Sequence, residues 1–198
     1  VFYRDGRSAT LEVEALVGKG VFPFPKNTDV IGELIQLTTA KDDVVLDFFA
    51  GSGTTAEAVM RLNAEDGGSR QFILVQIPQP IDPKKQKEAH SFVTETLGKP
   101  QATIFEITAE RLRRAGAKLQ TAHAAKHTAR TEAAGSLLPA EAWPTLDTGF
   151  RVFELVDDPN ALILQKPLSQ ATQADLAQLE ASITTPQPSQ WPRILYNL

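Results

Sequence analysis

Apolar side chains recur every three to four residues at Val30, Ile31, Leu34 and Ile35, with Thr38 closing the stripe. That spacing predicts an amphipathic helix from about Thr28 to Ala40, capped by Thr28 or Asp29. The pattern then changes period. Val44-Val45-Leu46 opens a β-branched run expected to form a strand over 44–49, and two glycines at 51 and 53 interrupt it. A second helical stripe, Ala58, Val59 and Leu62, predicts a helix from Thr54 to about Glu65 that stops at Gly67-Gly68. Phe72-Ile73-Leu74-Val75-Gln76-Ile77 is almost continuously apolar, as a strand covered on both faces would be. Asp82-Pro83 supplies a cap followed by a first-turn proline, with Gly98 as the stop. Thr103-Ile104-Phe105-Glu106 has capping-box spacing and opens a helix to about Lys118. Strand and helix alternating in this way predict an α/β chain with a doubly wound parallel sheet over residues 21–119.

The flanks carry weaker patterns. Residues 1–20 read as a hairpin, Val1–Arg4 and Thr10–Leu16 around the turn dipeptide Asp5-Gly6, or as the remnant of an upstream domain. Two prolines keep Val21–Asn27 extended. Residues 120–144 are rich in Ala, Thr, His and Arg and read as a linker or solvated helix. Residues 145–198 are expected to form a small α+β appendage. It would contain strands Phe150–Leu155 and Leu162–Gln165, a capped helix Thr172–Ile183, and an apolar end at Ile194, Leu195, Tyr196 and Leu198.

Composition narrows the field. A 198-residue chain can bury one good core with a small appendage. A net charge of −4 gives no basic footprint of the kind a self-sufficient DNA-binding domain shows. With no cysteine, disulfides and thiolate metal sites are excluded, which fits a reducing cytoplasm. No apolar run reaches membrane-spanning length, and no signal-peptide layout is present. The first residue is Val1 and the single methionine is Met60, so a processed chain or a piece of a longer one is expected.

The candidate chemistry sits at Asp47-Phe48-Phe49-Ala50-Gly51-Ser52-Gly53-Thr54-Thr55, a strand, a tight turn and a helix start in nucleotide-binding order. A Walker A loop would need lysine after its last glycine, and Thr54 stands there. The dinucleotide pattern is met formally by Gly51, Gly53 and Ala56. However, the acid that should hold ribose hydroxyls after the next strand is replaced by Gln76, and Asp47 would repel a pyrophosphate. S-adenosylmethionine fits better. Its sulfonium and ammonium suit Asp47, and its carboxylate suits Lys26 or a helix N-terminus.

Three segments carry a family resemblance: Val21–Asn27, Asp42–Thr55 and Gly67–Gln76. They resemble the modification methyltransferase subunit of type III restriction systems, adenine-specific DNA methyltransferases of the β order. The similarity continues through Thr103–Gly116 and Gly149–Leu155. It implies a partial Rossmann-like methyltransferase sheet in an enzyme that uses S-adenosyl-L-methionine. Phe24, Pro25 and Lys26 would close over the methionine end of the cofactor. Asp47, Phe49, Gly51 and Gly53, with Thr54 at the helix start, would form the main cofactor loop. Gln76 stands where related enzymes touch the ribose.

Asn27 departs from the usual proline, and Gln79 departs from a common acid. The family's catalytic Asp-Pro-Pro-Tyr motif is absent, since Asp82-Pro83-Lys84 and Asp158-Pro159-Asn160 do not supply it. The resemblance therefore implies a C-terminal part, with no catalytic residue and no activity of its own. It also implies double-stranded DNA as partner of the complete enzyme, a homodimer, a restriction helicase subunit, no membrane, and a bacterial cytoplasmic location. The alternative is a non-catalytic dimerisation or subunit-interaction module, with a nicotinamide oxidoreductase a remote third. Phe48 and Phe49 alternate on a strand, so one of them is expected in the core. Arg111, Arg113, Arg114 and Lys118 read as a solvated helix face rather than a DNA contact, and His123, Lys126, His127 and Arg130 as a disordered polar segment. Trp143 and Trp191 read as packing or interface residues.

Overall fold

The computed structural model describes residues 6–133, 146–154, 170, 172–175 and 177, with the side chains of its last long helix described to Lys126. Two compact units divide the chain, residues 1–149 and 150–198.

The first unit opens with helix α1 (Gly6–Val17), where a hairpin strand was expected over Thr10–Leu16. The reason is a period of four: Ala9, Val13 and Val17 fall on one face and are all buried. A strand would put Leu11 and Ala15 on that same face, and both are exposed. Glycines at 18 and 20, both at positive φ, turn the chain into the Val21–Asn27 segment.

Helix α2 (Thr28–Thr38) is capped by Asn27, one residue before the expected cap. The Asn27 side-chain oxygen accepts from the amides of Asp29 at 3.0 Å and Val30 at 3.2 Å. The Asn27 amide nitrogen also donates to Ser8 Oγ at 3.0 Å, which ties α2 to α1. The departure from proline at this position thus has a structural use. Strand β1 (Val44–Asp47), helix α3 (Thr54–Asp66) and strand β2 (Gln71–Leu74) then form a βαβ unit, with Val44 opposite Gln71 and Asp47 opposite Leu74 in parallel register.

One face of this sheet is covered. Ile35 of α2 packs with Ala58, Val59 and Leu62 of α3, and Val45 and Phe72 close onto that cluster. The other face presents Val44, Leu46 and Ile73, each about half exposed. Among the described residues the sheet has two strands, so the doubly wound sheet expected from the alternation is present only as this unit. Both strands are shorter than expected, and the second is not covered on both sides.

Beyond β2, Asp82 Oδ1 accepts from the amides of Lys84 and Lys85, but the result is a turn and helix α4 begins only at Lys87. Helix α4 (Lys87–Ser91) runs into a π-helical turn, Phe92–Thr96, before Gly98 at positive φ ends it. A second core gathers here from Val13 and Val17 of α1, Val21, Ile81, Ala89, Phe92, Val93 and Ile107. Glu106 pairs with Lys99 at 3.2 Å rather than completing the expected box with Thr103.

Helix α5 (Ile104–Ala133) continues well past Lys118 into the segment read as a linker or solvated helix, so His123 and Lys126 lie on a helix and not in a disordered stretch. Its length follows from alanine and long straight-chain residues, which are good helix formers without an apolar stripe.

In the second unit, residues 150–154 have no regular secondary structure, against the strand expected over Phe150–Leu155. The expected cap at Thr172 is present. Thr172 and Asp175 exchange hydrogen bonds, backbone to side chain in both directions, at 2.8 and 3.3 Å. The strand expected at Leu162–Gln165, most of the helix beyond Thr172, both tryptophans and the Ile194–Leu198 end lie outside the described residues, as do residues 1–5 and 134–145. Among the described residues no helix is long and apolar enough to cross a membrane.

Candidate functional site

The turn between β1 and α3 is built by Asp47. Its Oδ1 accepts from the Phe49 amide at 2.9 Å and its Oδ2 from Thr55 Oγ1 at 2.6 Å, so one carboxylate braces both ends of the turn. The backbone closes on itself where the Gly53 amide donates to the Ala50 carbonyl at 2.7 Å. Gly53 sits at φ 84°, a left-handed conformation that side chains resist. A Cβ there would also lie 3.1 Å from the Leu112 side chain and 3.3 Å from Thr108. Gly53 is therefore required by the backbone and by α5.

Gln76, just past β2, accepts from the Gly51 amide at 2.8 Å and donates to the Ile77 carbonyl at 2.9 Å. The β2 end and the turn are thereby locked together, as they are by the Ala50 amide donating to the Val75 carbonyl at 3.1 Å.

The outer side of the turn is different. Phe48 and Phe49 are both exposed, Phe49 at 86%, because β1 ends at Asp47 and neither ring continues a strand into the core. Phe24 is 90% exposed at φ 53°, the one non-glycine residue at positive φ among those described. Pro25 is buried and Lys26 exposed. The Thr54 hydroxyl donates to the Lys26 carbonyl at 3.4 Å, which joins this segment to the start of α3. The structure thus links Lys26, Asp47, Phe49, Gly51, Gly53, Thr54 and Gln76 through the turn and its braces. Phe24 and Pro25 precede Lys26 on the same segment.

Several residues at the site were not identified from sequence. Arg111, expected on a solvated face, is fully buried. Its NH1 donates to the Ser52 carbonyl and Ser52 Oγ, both at 2.8 Å, and to Thr54 Oγ1 at 3.1 Å. Its NH2 meets Glu57 Oε2 at 2.5 Å. Burial pulls the Arg111 guanidinium below its ordinary value while Glu57 opposes the shift, and an arginine remains a cation throughout.

Glu57 is shared with Arg61 at 2.6 Å, and Arg61 reaches on to Glu12 at 3.4 Å and Asp29 at 3.5 Å. Burial would lower Arg61, but Glu57, Glu12 and Asp29 outweigh it and hold the group above its ordinary value. Thr108 donates to the Gly51 carbonyl at 2.5 Å. The signal for Arg111 lay in the pattern of α5. Ile107, Thr108, Leu112 and Ala115 form a buried stripe, and position 111 lies in its middle.

Arg114 also leaves the solvated face. It donates to the Leu16 carbonyl at 2.9 Å, capping α1, and lies 5.3 Å from the centre of the Phe92 ring. Among the described residues no cluster of side chains could hold a metal ion.

The DNA methylase family matches residues 4–79. The chain is 44% identical over 117 residues to the StyLTI Mod subunit, a type III restriction-modification enzyme of Salmonella typhimurium; the match covers 59% of this chain and 16% of that protein. It is 47% identical over 105 residues to the EcoPI Mod subunit of Escherichia phage P1, covering 53% of this chain and 15% of that one. It is also 47% identical over 80 residues to the type II methyltransferase M.KpnI of Klebsiella pneumoniae, covering 40% and 19%. The chain spans less than a fifth of the length of these curated relatives. Residues 4–79 therefore match the DNA methylase family, and over more than half its length the chain is similar to Mod subunits of type III restriction-modification enzymes.

Proposed function

We propose that this chain is the S-adenosylmethionine-binding part of a site-specific DNA adenine methyltransferase of a type III restriction-modification system, and that it does not methylate DNA on its own. The observation that carries this reading is the Asp47-braced turn with the exposed ring of Phe49 on it, joined through the Lys26 carbonyl to the segment that carries exposed Phe24. A carboxylate next to apolar rings suits a ligand with a sulfonium, an ammonium and a flat base, and exposed Lys26 suits that ligand's carboxylate.

The bound cofactor would supply the methyl group. The chain's own residues would orient it: Asp47 and Gln76 by fixing the turn, Gly51 and Gly53 by permitting it, and Phe24, Pro25, Lys26 and Phe49 by closing on the ligand. Orientation of the reacting groups is a large part of such a transfer. No Asp-Pro-Pro-Tyr motif is present to hold a flipped adenine, which supports inactivity of this chain alone. In the complete enzyme the partners would be double-stranded DNA, a second copy and the restriction subunit, in the bacterial cytoplasm.

Calorimetric titration of the 198-residue chain with S-adenosylmethionine tests the reading. Binding by the wild type and its loss in Asp47→Ala is expected. A folded wild type that gives no heat sinks it, as does DNA methylation by this chain above background. The half-exposed face of Val44, Leu46 and Ile73 favours a second reading, a non-catalytic interaction module. That reading expects a dimer in light scattering, and a strictly monomeric chain counts against it.

A further inference from the structure

Two consecutive carbonyls of the turn are held from behind by a single helix. Thr108 takes the Gly51 carbonyl, and one turn further along α5 Arg111 takes that of Ser52. A trans peptide points its N–H opposite its carbonyl, so these bonds turn the Ser52 amide away from α5.

The choice of a charged residue for this task needs a reason. A buried ion pair is seldom more stable than a well-packed apolar pair, so stability alone does not call for Arg111 and Glu57. A guanidinium can instead hold two targets at once in a fixed plane. Here NH1 grips the turn and the hydroxyls of Ser52 and Thr54, while NH2 grips Glu57, one turn into α3. Glu57 is itself fixed by Arg61, whose ties to Glu12 and Asp29 bring in α1 and α2.

We propose that Arg111 is a positioning residue that holds the Gly51–Thr54 turn in its ligand-ready geometry. Its effect on cofactor affinity rests on the reading of this turn as the S-adenosylmethionine site.

Arg111→Lys keeps a cation for Glu57 but cannot reproduce the two-ended grip. Ile107→Val is the control, because Ile107 is as buried on the same helix but packs with Val13 and Val17 of α1 and takes no part in the hydrogen bonds that hold the turn. At a temperature where both variants show the wild-type circular dichroism, amide exchange of Ser52–Thr55 should quicken at least about tenfold in Arg111→Lys, with β1 unchanged. Cofactor affinity should fall at least about tenfold, the scale on which supporting residues act, and stay within about twofold in Ile107→Val.

Unchanged exchange at the turn in Arg111→Lys overturns the proposal, as does an equal loss of affinity in Ile107→Val. A wild type that binds no S-adenosylmethionine overturns the reading of the site, while the exchange comparison still decides whether Arg111 positions the turn. Should Arg111→Lys not fold, Ser52→Ala removes one arginine bond and leaves the ion pair. Faster exchange at residues 53–55 then supports the proposal, and unchanged exchange overturns it.

Discussion

The two ends of α3 are fastened in different ways. At its N-terminal end the turn is held by Arg111 and Thr108, which arrive from 57 to 59 residues further along the chain, and by Gln76 from 25 residues away. At its C-terminal end Gly67 takes the left-handed conformation at φ 67° and its amide returns to the Asn63 carbonyl. There Asn63 trades two hydrogen bonds with the Arg70 backbone and Arg70 pairs with Asp66 at 2.9 Å, within seven residues, while Lys41 donates to the Asp66 carbonyl at 2.6 Å and Arg70 to Thr39 Oγ1 at 3.1 Å from earlier in the chain. Local fastening ends a helix cheaply. Fastening from a distant helix costs chain entropy, and it gives a turn whose shape is set by the assembled fold. The end that presents the candidate ligand surface is the one clamped by a helix more than fifty residues away.

The largest expected difference follows from charge. Glu57→Ala leaves the fully buried Arg111 without its carboxylate, a loss on the order of 3–5 kcal/mol for a buried pair broken on one side. That is comparable with the whole stability of a small domain. Urea unfolding followed by circular dichroism should show the variant unfolded or nearly so without denaturant. A midpoint close to wild type would mean that water reaches Arg111 and that the N-terminal end is less tightly held than its geometry indicates.

The same contrast explains what was legible in the sequence. The Gly67 stop, the Thr28–Thr38 stripe, the parallel βαβ unit and the Thr172 cap all rest on patterns a few residues long, and the structure has them. The turn at Gly51 and Gly53 was legible for the same reason: strand, acid, glycines and helix follow one another directly. The partners of that turn were not. Arg111 has a solvated-looking neighbourhood, with Glu110, Arg113 and Arg114 around it, and only its place in a buried stripe distinguishes it. α1 was misread because Asp5-Gly6 is a strong turn signal, while the four-residue period of Ala9, Val13 and Val17 is short. Asp82 shows the limit of local signals. Its cap contacts form, yet they close only a turn and the helix begins at Lys87.

Two glycines sharpen the comparison at intermediate scale. Gly53 and Gly67 have similar positive φ, so an alanine at either meets the same backbone penalty, about 1–2 kcal/mol. At Gly67 nothing lies within 4 Å of the added Cβ, so the penalty should end there. At Gly53 the new methyl meets Leu112 and Thr108 at 3.1–3.3 Å, which adds overpacking of about 1–3 kcal/mol. Chemical unfolding of both variants should rank Gly53→Ala below Gly67→Ala. Equal losses would show that α5 yields to the methyl and does not clamp the turn.

The smallest effect belongs to the local end and appears only with acid. Burial by itself would raise the Asp66 carboxyl, but the Arg70 hydrogen bond, the Gly68 amide at 2.9 Å, and the charges of Arg70 and Lys41 outweigh it, holding the group below its ordinary value of 3.8. A carboxyl lowered on folding binds its proton more readily in the unfolded chain. Its contribution is therefore fully present above the unfolded value and is lost as pH falls through the lower folded one. Between neutral pH and about 5 the wild type and Asp66→Asn should differ by a constant amount. Below about 4 the gap should close, because the wild-type carboxyl becomes neutral as well. Thermal unfolding from pH 3 to 7 reads this directly. A gap that persists undiminished at the acid end would mean that the Asp66 contacts act through shape and not through charge, and the two ends of α3 would then differ in the range of their fastening but not in its electrostatics.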